Sequence, residues 1–286
     1  MNKVKVKRIA GTVIRAVLVV VVCVFGIIIS KTRIPDKLPE GAYRAVFFDV
    51  SEADCILYHG EGAAILTDAP LDNTDQVTGY LQRMGIKKLD YFIISHYDRD
   101  HAGDAVKIIN KFDPAYILMP EPADANDGVY KEIVNAMDEN RRIIAKTGQS
   151  YNINDVTIDI LAPNNMGADN NDMCVVCKLT YKETSLLLCS DIDTDEENVI
   201  LSKYGDRIRS NVMKVAHHGS KYASSDAFIC TVLPEYAVIS CGPNSYGHPD
   251  VDVMKRLKAI NAQVLTTQQE GVIIFDFFAD SVVRVK

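Results

Sequence analysis

The chain has 286 residues, 48% hydrophobic and 24% charged, and this composition excludes a disordered or fibrous protein. Residues 1–35 contain seven basic side chains and no acidic one. The remainder therefore has 24 basic against 38 acidic residues, a net charge of −14 within a total of −7. Phosphate contacts come mainly from Lys and Arg, so this remainder is not expected to coat nucleic acid with a basic surface.

The N-terminal residues predict a single membrane anchor. Residues 9–30 form a 22-residue apolar run with one charge, Arg15, which is long enough to span a bilayer. The basic residues Lys3 to Arg8 precede the run and predict a cytoplasmic N-terminus with an extracytoplasmic C-terminal domain in the cell membrane. A cleavable signal peptide is the alternative, but residues 27–31 lack its small-residue cleavage pattern. We therefore divide the chain into a flank and signal anchor (1–30), a Pro- and Gly-containing linker (31–41) and one domain (42–286).

The domain alternates strand-like and helix-like segments. The predicted strands, in chain order, are Ala42–Val50, Cys55–His59, Ala63–Thr67, Tyr91–Ser95, Tyr116–Met119, Val156–Leu161, Cys174–Tyr181, Ser185–Cys189, Val212–Val215, Tyr236–Ser240, a segment near Val264, Val272–Phe275 and Val282–Val285. The predicted helices are Asp72–Met84, Asp104–Phe112, Val129–Arg141, Thr194–Lys203, Ser225–Val232 and Asp250–Ile260. Because strands dominate both ends and helices lie between them, the pattern predicts an α/β (α+β) protein of layered sheets flanked by helices.

The cysteines and one histidine have ordinary structural interpretations. The seven cysteines are expected to be buried thiols. Cys174 and Cys177 should point to opposite faces of their strand, which argues against a redox pair or a zinc knuckle. His59 precedes a hairpin glycine without a partner nearby in the sequence, and we expect it on the surface.

The strongest chemical signal is the segment after the apolar strand Tyr91–Ser95. His96, Asp98, Asp100 and His101 place four ligand-type side chains within six residues. Two histidines and two carboxylates at this spacing can bind two adjacent divalent ions. Histidine positions 217, 218 and 248 also follow predicted strands within a few residues, in loops that contain glycine. The sequence therefore predicts a metal centre at the ends of several strands.

These segments resemble the metallo-β-lactamase fold. His96-x-Asp98-x-Asp100-His101-x-Gly103 is a variant of the H-x-H-x-D-H signature. Five further blocks match, in order, the branch found in ComEC-type competence proteins: residues 46–54, residues 66–68, LLLCSD (186–191), MKVAHHGS (213–220) and YGHP (246–249). The resemblance covers residues 42–286 and implies a four-layer αββα sandwich, preceded here by the transmembrane helix.

The resemblance also implies the site. His96 and Asp98 would hold a first metal, Asp100 and His101 a second, and Asp191 would bridge both. Three further histidines would complete the set of metal ligands or aid the reaction, and their individual roles stay open: His217, His218 and His248. Asn171 stands where many relatives have another histidine, and its amide is a weak ligand. The expected cofactors are two divalent ions, Zn²⁺ or Mn²⁺.

Neighbouring residues leave some assignments open. Asp68 is either an acceptor for the free ring nitrogen of a metal-bound histidine or a turn cap. The same two interpretations apply to Asp49 and Asp54, which either accept from a site histidine or only order the turn that carries them. Lys221 and Tyr222 either contact a phosphate or are simply exposed. The sequence differs from the pattern of the ComEC-type branch at residues 51–53, 69–70, 104 and 189–190. These differences affect the expected substrate contacts more than the expected metal binding.

Three functions are compatible with this pattern. The first is a membrane-anchored hydrolase that cleaves a phosphodiester, such as nucleic acid or a wall polymer, with water activated by two metals, and in which Asp191, Asp100, His217 and His218 are the catalytic candidates. The second is hydrolysis of another ester, a lactone or an amide in the same fold. The third is a non-enzymatic module with a vestigial site. The pattern identifies no protein partner, native substrate or oligomeric state.

Overall fold

Two β-sheets form the centre of the computed structural model, which describes residues 37–72, 74–164 and 171–286. The predicted anchor over residues 9–30, its basic flank and the first part of the linker lie outside these ranges. Within them, no helix combines the length and the apolar character needed to cross a bilayer.

The first sheet combines the N-terminal and C-terminal strands of the domain. Its strands are β1 (Tyr43–Phe47), β2 (Ile56–Gly60), β3 (Ala63–Thr67), β4 (Tyr91–Ile93), β5 (Tyr116–Met119), β6 (Arg142–Ile144), β14 (Ile273–Phe277) and β15 (Val282–Arg284). Among the described residues these eight strands follow the spatial order β15-β14-β1-β2-β3-β4-β5-β6. The predicted hairpin between β2 and β3 is confirmed by their antiparallel pairing.

The second sheet is built from the middle of the chain. Its strands are β7 (Ser150–Ile153), β8 (Val156–Ala162), β9 (Val176–Tyr181), β10 (Thr184–Leu188), β11 (Val212–Lys214), β12 (Tyr236–Ile239) and β13 (Gln263–Thr266). Within the described ranges the seven strands follow the order β13-β12-β11-β10-β9-β8-β7.

Each sheet contains a parallel half that determines where the polar loops meet. Strands β3 to β6 are parallel in the first sheet, and β10 to β13 are parallel in the second. The carboxyl ends of parallel strands meet at one edge of a sheet, so the loops after β3 and β4 are neighbours. The loops after β10, β11 and β12 are neighbours for the same reason. All of these loops carry candidate site residues.

Helices cover the outer faces of both sheets. The described helices are α1 (Thr74–Arg83), α2 (Arg99–Ala102), α3 (Ala105–Phe112), α4 (Gly128–Ala136), α5 (Thr194–Tyr204), α6 (Asp226–Val232), α7 (Val251–Ala259) and α8 (Thr267–Glu270). One apolar cluster fills the space between the sheets. Ile200 of α5 and Phe228 of α6 pack on the outer face of the second sheet, and Tyr80 of α1 packs against Phe48 on the first. The expected α/β sandwich of two sheets between helices is therefore present.

Several short elements differ from the sequence prediction. The helix expected over Val129–Arg141 ends at Ala136, and a 3₁₀ turn, Glu139–Arg141, follows it. Strands β6 and β7 and helices α2 and α8 were not predicted. Each has three or four residues, too few to show a hydrophobic period, and their formation depends on pairing with a sheet or capping by a neighbouring loop.

The prediction for His59 was wrong, and so was the expectation of a buried thiol at Cys230, which is exposed, whereas the prediction for Cys174 and Cys177 is confirmed. His59 is only 6% exposed, and its Nε2 lies 3.2 Å from the Tyr80 hydroxyl. Tyr58 faces the second sheet, so His59 faces the opposite side of β2, which α1 covers. Cys174 packs on the outer, helix-covered face of the second sheet, whereas Cys177 packs between the sheets.

Candidate metal centre

The loop after β4 places two histidines inside the protein and two carboxylates at its rim. His96 and His101 are 1% and 0% exposed, because His96 directly follows the buried strand and His101 lies on the inner side of the one-turn helix α2. Asp98 precedes this helix and Asp100 lies in it, and both are exposed. The Asp98 carboxylate lies 3.8 Å from His96 Nε2, and that of Asp100 lies 3.9 Å from His101 Nε2.

Asp191 lies at the centre of the histidine cluster. It follows β10 and is 4% exposed. Its Oδ2 atom lies 3.4 Å from His101 Nε2, 3.3 Å from His218 Nε2 and 3.8 Å from His217 Nε2. One carboxylate oxygen therefore faces histidines that come from loops of both sheets.

The two adjacent histidines after β11 reach this position through an uncommon backbone conformation. His217 and His218 both have positive φ values, 48° and 51°, within the 3₁₀ turn Ala216–Gly219. Non-glycine residues in the left-handed region are strained, and such strain concentrates at functional sites. The turn buries His218, whereas the side chain of His217 remains 29% exposed.

Hydrogen bonds orient three of the rings through their Nδ1 atoms. His101 Nδ1 donates to Asp68 Oδ2 at 3.0 Å, which favours the first of the two interpretations of Asp68, an acceptor for a site histidine, over a turn cap. His218 Nδ1 donates to the Ser240 carbonyl at 2.8 Å. His248 Nδ1 lies 2.9 Å from Glu52 Oε1. Because each Nδ1 is engaged, each Nε2 is available as a ligand atom.

The donor set fits a divalent metal. Within the described residues, Nε2 of His101 and Nε2 of His218 are buried atoms without a hydrogen-bond partner of acceptable geometry. A buried polar atom without a partner is costly, and a cation between these nitrogens and Asp191 removes that cost. Among the described residues, three triads bring their ligand atoms within 4.8 Å of one another: His96, His101 and Asp191; Asp100, His101 and His218; and Asp54, Asp68 and His101.

The electrostatics keep Asp191 ionised. Burial raises the pKa of Asp191, but His218, His101 and Lys214 outweigh burial and hold that pKa well below its usual range. Burial lowers the pKa of His101, but Asp191 and Asp68 outweigh it and raise that pKa well above its usual range. The pKa of His96 is lowered mainly by burial and also by His101, so its ring is neutral. Metal binding must therefore displace a proton from His101.

Two buried residues of this centre were not identified as site residues from the sequence. Lys214 is 1% exposed and forms an ion pair with Asp54, which is also 1% exposed. Asp54 does more than order its turn, because its carboxylate lies inside the protein beside Lys214 and 3.9 Å from His101 Nδ1. A single lysine within the apolar strand Val212–Val215 was the signal that could have identified the pair.

The remaining candidates lie further out. The His248 ring centroid is 5.7 Å from that of His217 and 6.5 Å from that of His218. Asn171 is half-buried in the turn before β9, where its carbonyl accepts from the Cys174 N–H at 3.2 Å. No side-chain bond between described residues joins Asn171 to the cluster, so its role as a ligand stays a prediction.

Comparisons with known proteins agree with this geometry. The family model of the metallo-beta-lactamase superfamily matches residues 49–242. Competence protein ComA of Neisseria gonorrhoeae is 28% identical over 245 residues, which cover 84% of this chain and 33% of that protein. ComE operon protein 3 of Bacillus subtilis is 29% identical over 201 residues, which cover 69% of this chain and 26% of that protein. The chain thus spans a third or less of the length of these relatives.

A solved structure shows the same fold. The metallo-beta-lactamase fold protein YhfI from Bacillus subtilis superposes with a TM-score of 0.58 at 12% identity, over 83% of this chain and all of that one. At this identity the likeness shows the architecture alone. The family match over residues 49–242 carries the assignment. The chain therefore belongs to the metallo-beta-lactamase superfamily and is related to competence proteins.

Proposed function

We propose that this chain is a membrane-anchored, extracytoplasmic phosphodiesterase that depends on two divalent metal ions. The observation that carries the proposal is the convergence of two partnerless buried nitrogens, Nε2 of His101 and of His218, on the ionised Asp191. A fold stabilised only by packing gains nothing from such a group of buried polar atoms. A hydrolytic metal centre requires such a group of buried polar atoms, because they are its ligands.

The residues of the chain would share the ligand roles as follows. His96 and Asp98 would hold one Zn²⁺ or Mn²⁺ ion, Asp100 and His101 the other, and Asp191 would lie between them. Of the three histidines whose roles the sequence left open, His218 is the best placed ligand because it is buried and closest to Asp191. When bound, such a pair of cations activates water and stabilises negative charge on a reacting oxygen.

One cationic side chain beside the centre, Arg99, can contact an anionic substrate. A cavity of about 500 Å³ adjoins the metal loop, and Tyr97, Asp98, Arg99 and Asp100 are among its lining residues. Arg99 also lines a second groove of about 290 Å³, which shares Asp100 with the first cavity. An exposed guanidinium between two grooves can bind a phosphate oxygen in a bidentate manner while the metal ligands hold the reacting group.

Exposed aromatic side chains extend this surface. Tyr222 and Tyr246 are 66% and 77% exposed, and they lie in the loops that carry His218 and His248. The Tyr246 ring stacks on His248 with centroids 5.7 Å apart, and Lys221 Nζ lies 4.9 Å from the Tyr222 ring centroid. Aromatic rings beside a cation suit a substrate with planar or sugar rings next to its phosphodiester, as in nucleic acid or a wall polymer.

The proposal is tested by metal content and hydrolysis together. After reconstitution with Zn²⁺ or Mn²⁺, elemental analysis should give close to two ions per chain, and the protein should hydrolyse bis(p-nitrophenyl) phosphate. Binding should weaken as pH falls through about 6, because the histidine ligands must be deprotonated. A protein without metal supports the non-enzymatic alternative. Metal together with activity only on esters, lactones or amides supports the second alternative.

The site assignment is tested by substitution. Asp191→Asn and His101→Ala should each lower phosphodiester hydrolysis at least about a hundredfold, about 2.7 kcal/mol of transition-state stabilisation. The double variant should be little worse than either single variant, because both residues serve one site. Asp159→Asn, on the outer side of β8, is the matched control and should stay within about twofold of the parent. Parental activity in Asp191→Asn would refute the assignment.

A further inference from the structure

Lys214 is a charged side chain in the interior, on a strand that is otherwise apolar. It belongs to β11 and is 1% exposed. Its ammonium group is surrounded by oxygen atoms: the Asp54 carboxylate, the Ser190 carbonyl at 3.1 Å and Asp191 Oδ1 at 3.4 Å. The side chain therefore does not reach solvent or a substrate, and its effect must pass through these neighbours.

The two oxygens of Asp191 have different neighbours. Oδ1 faces Lys214, whereas Oδ2 faces the Nε2 atoms of His101, His218 and His217. A free carboxylate would exchange its oxygens by rotation about the Cβ–Cγ bond. Here rotation would move Oδ1 away from the ammonium group and leave buried charges poorly paired, which is unfavourable.

Asp54 makes this arrangement compatible with metal binding. The Lys214 ammonium group lies between the carboxylates of Asp54 and Asp191, which are its two acidic neighbours. Asp54 neutralises that charge within a buried pair. The negative charge of Asp191 is therefore not cancelled by Lys214 and remains available at Oδ2.

We propose that Lys214 is a positioning residue that holds Asp191 by Oδ1, so that Asp191 presents only Oδ2 to both ions of the metal centre. The inference rests on the proposed function, because it assumes that two ions bind. It assigns the Asp54–Lys214 pair to the organisation of the metal centre and predicts a bridge through one oxygen atom.

Removal of the lysine distinguishes this role from a simple charge effect. A nearby cation that did nothing else would repel the metal ions, so its loss would tighten their binding. Loss of a positioning residue would weaken binding, because Asp191 could then adopt orientations that do not serve both ions. The sign of the change in metal affinity therefore separates the two roles.

The experiment uses the full chain and Mn²⁺ as the probe. We would compare the parent with Lys214→Met and with the double variant Lys214→Met/Asp54→Asn, which leaves no carboxylate unpaired if the single variant fails to fold. Lys178→Met is the control, because Lys178 lies on β9 of the same sheet and its Nζ donates to the Arg207 carbonyl instead. The readouts are the dissociation constants of the two ions and the exchange-coupled electron paramagnetic resonance signal of ions that share an oxygen bridge.

We expect the double variant to fold, to bind the weaker of the two ions at least about tenfold less tightly than the parent does, and to lose the exchange-coupled signal. The control should match the parent in both readouts. If the double variant binds two ions with parental or higher affinity and keeps the coupled signal, the positioning role of Lys214 is refuted. The proposed function is not affected by that result. A parent that binds fewer than two ions would instead overturn the proposed function, and this inference with it.

Discussion

Asp68, in the loop after β3, makes a direct side-chain contact to the candidate ligand His101. Its Oδ2 accepts from His101 Nδ1 at 3.0 Å, and the same carboxylate accepts from the Ser95 N–H and hydroxyl at 2.8 Å each. Such a carboxylate fixes the ring orientation and makes Nε2 a better donor to a metal. Asp68 thus supports a ligand without being one of those named from the motif.

Asp68→Asn should therefore weaken metal binding while preserving the fold. We expect a 10- to 100-fold loss of affinity for at least one ion, the usual effect of removing such a hydrogen-bonded carboxylate, measured by competition with a chelator. Asp90→Asn is a suitable control, because Asp90 Oδ2 accepts from the Ala64 N–H at the opposite end of β3. Parental affinity for both ions in Asp68→Asn would contradict this role.

His59 gives a prediction about stability and pH. Burial lowers the pKa of His59 to about 4, against 6.5 in the unfolded chain, and Arg44 adds to that effect. Above pH 6.5 the ring is neutral in both states, so its contribution to the free energy of unfolding is fully present. As pH falls from about 6.5 to about 4, the unfolded chain binds a proton that the folded protein does not, and up to about 3 kcal/mol is lost.

The measurement is urea unfolding of the parent and of His59→Asn at several pH values. The parent should lose more stability than the variant between pH 6.5 and 4, because contributions from other groups are common to both. The variant should also keep its hydrolytic activity within about twofold, since His59 lies outside the metal cluster. Equal pH dependence in the two proteins would show that His59 is not buried in its neutral form.

At the scale of elements, one buried ion pair joins distant parts of the chain. Arg44 on β1 and Asp276 on β14 are 232 residues apart in sequence, and two hydrogen bonds of 2.7 and 2.9 Å connect them. Both side chains are almost fully buried, at 1% and 5% exposure. Arg44 and Asp276 lie directly opposite each other in the antiparallel ladder between β1 and β14, so the ion pair supports the pairing of these two strands.

Arg44→Met should lower the free energy of unfolding by about 3–5 kcal/mol, because it leaves Asp276 as an uncompensated buried charge. The double variant Arg44→Met/Asp276→Leu should recover most of that loss, since no charge then remains buried without a partner. Urea unfolding with an unchanged m value would measure both effects. A double variant no more stable than Arg44→Met would contradict this explanation.

At the scale of the whole molecule, the sheets bring together loops that are distant in sequence. His101 follows a strand of the first sheet and Asp191 a strand of the second, yet their side chains are 3.4 Å apart. This contact exists because both parallel halves direct their carboxyl ends to the same side of the sandwich. The metal centre is therefore a property of how the two sheets pack.

The topology of the full chain follows from the proposed anchor over residues 9–30. Protease added to intact cells should digest the domain and leave a membrane-embedded stub, because the basic flank favours a cytoplasmic N-terminus. A cytoplasmic marker protein in the same cells should remain intact as a control for lysis. A domain protected in intact cells but cut after lysis would contradict the predicted orientation.

The local sequence determined the types and approximate bounds of the long elements and the identity of most candidate ligands. Strands such as Ala63–Thr67 and Tyr116–Met119 were predicted with their observed bounds, because hydrophobic runs bounded by turn residues depend only on near neighbours. The ligand types in the segment from His96 to His101 were visible for the same reason. The chemistry of histidine ligands suggested Asp68 as an acceptor, but the sequence left a turn cap as an equal alternative and did not identify His101 as the partner.

Only the tertiary structure decided which atoms face the centre and which charges lie inside. Asp54 and Lys214 are separated by 160 positions, and His59 is covered by a helix that begins 15 residues later. Burial and ion pairing at such separations depend on strand order and sheet packing, which leave no periodic signal in the chain. The sequence therefore identified the chemistry of the site, and the packing of the two sheets decided its geometry.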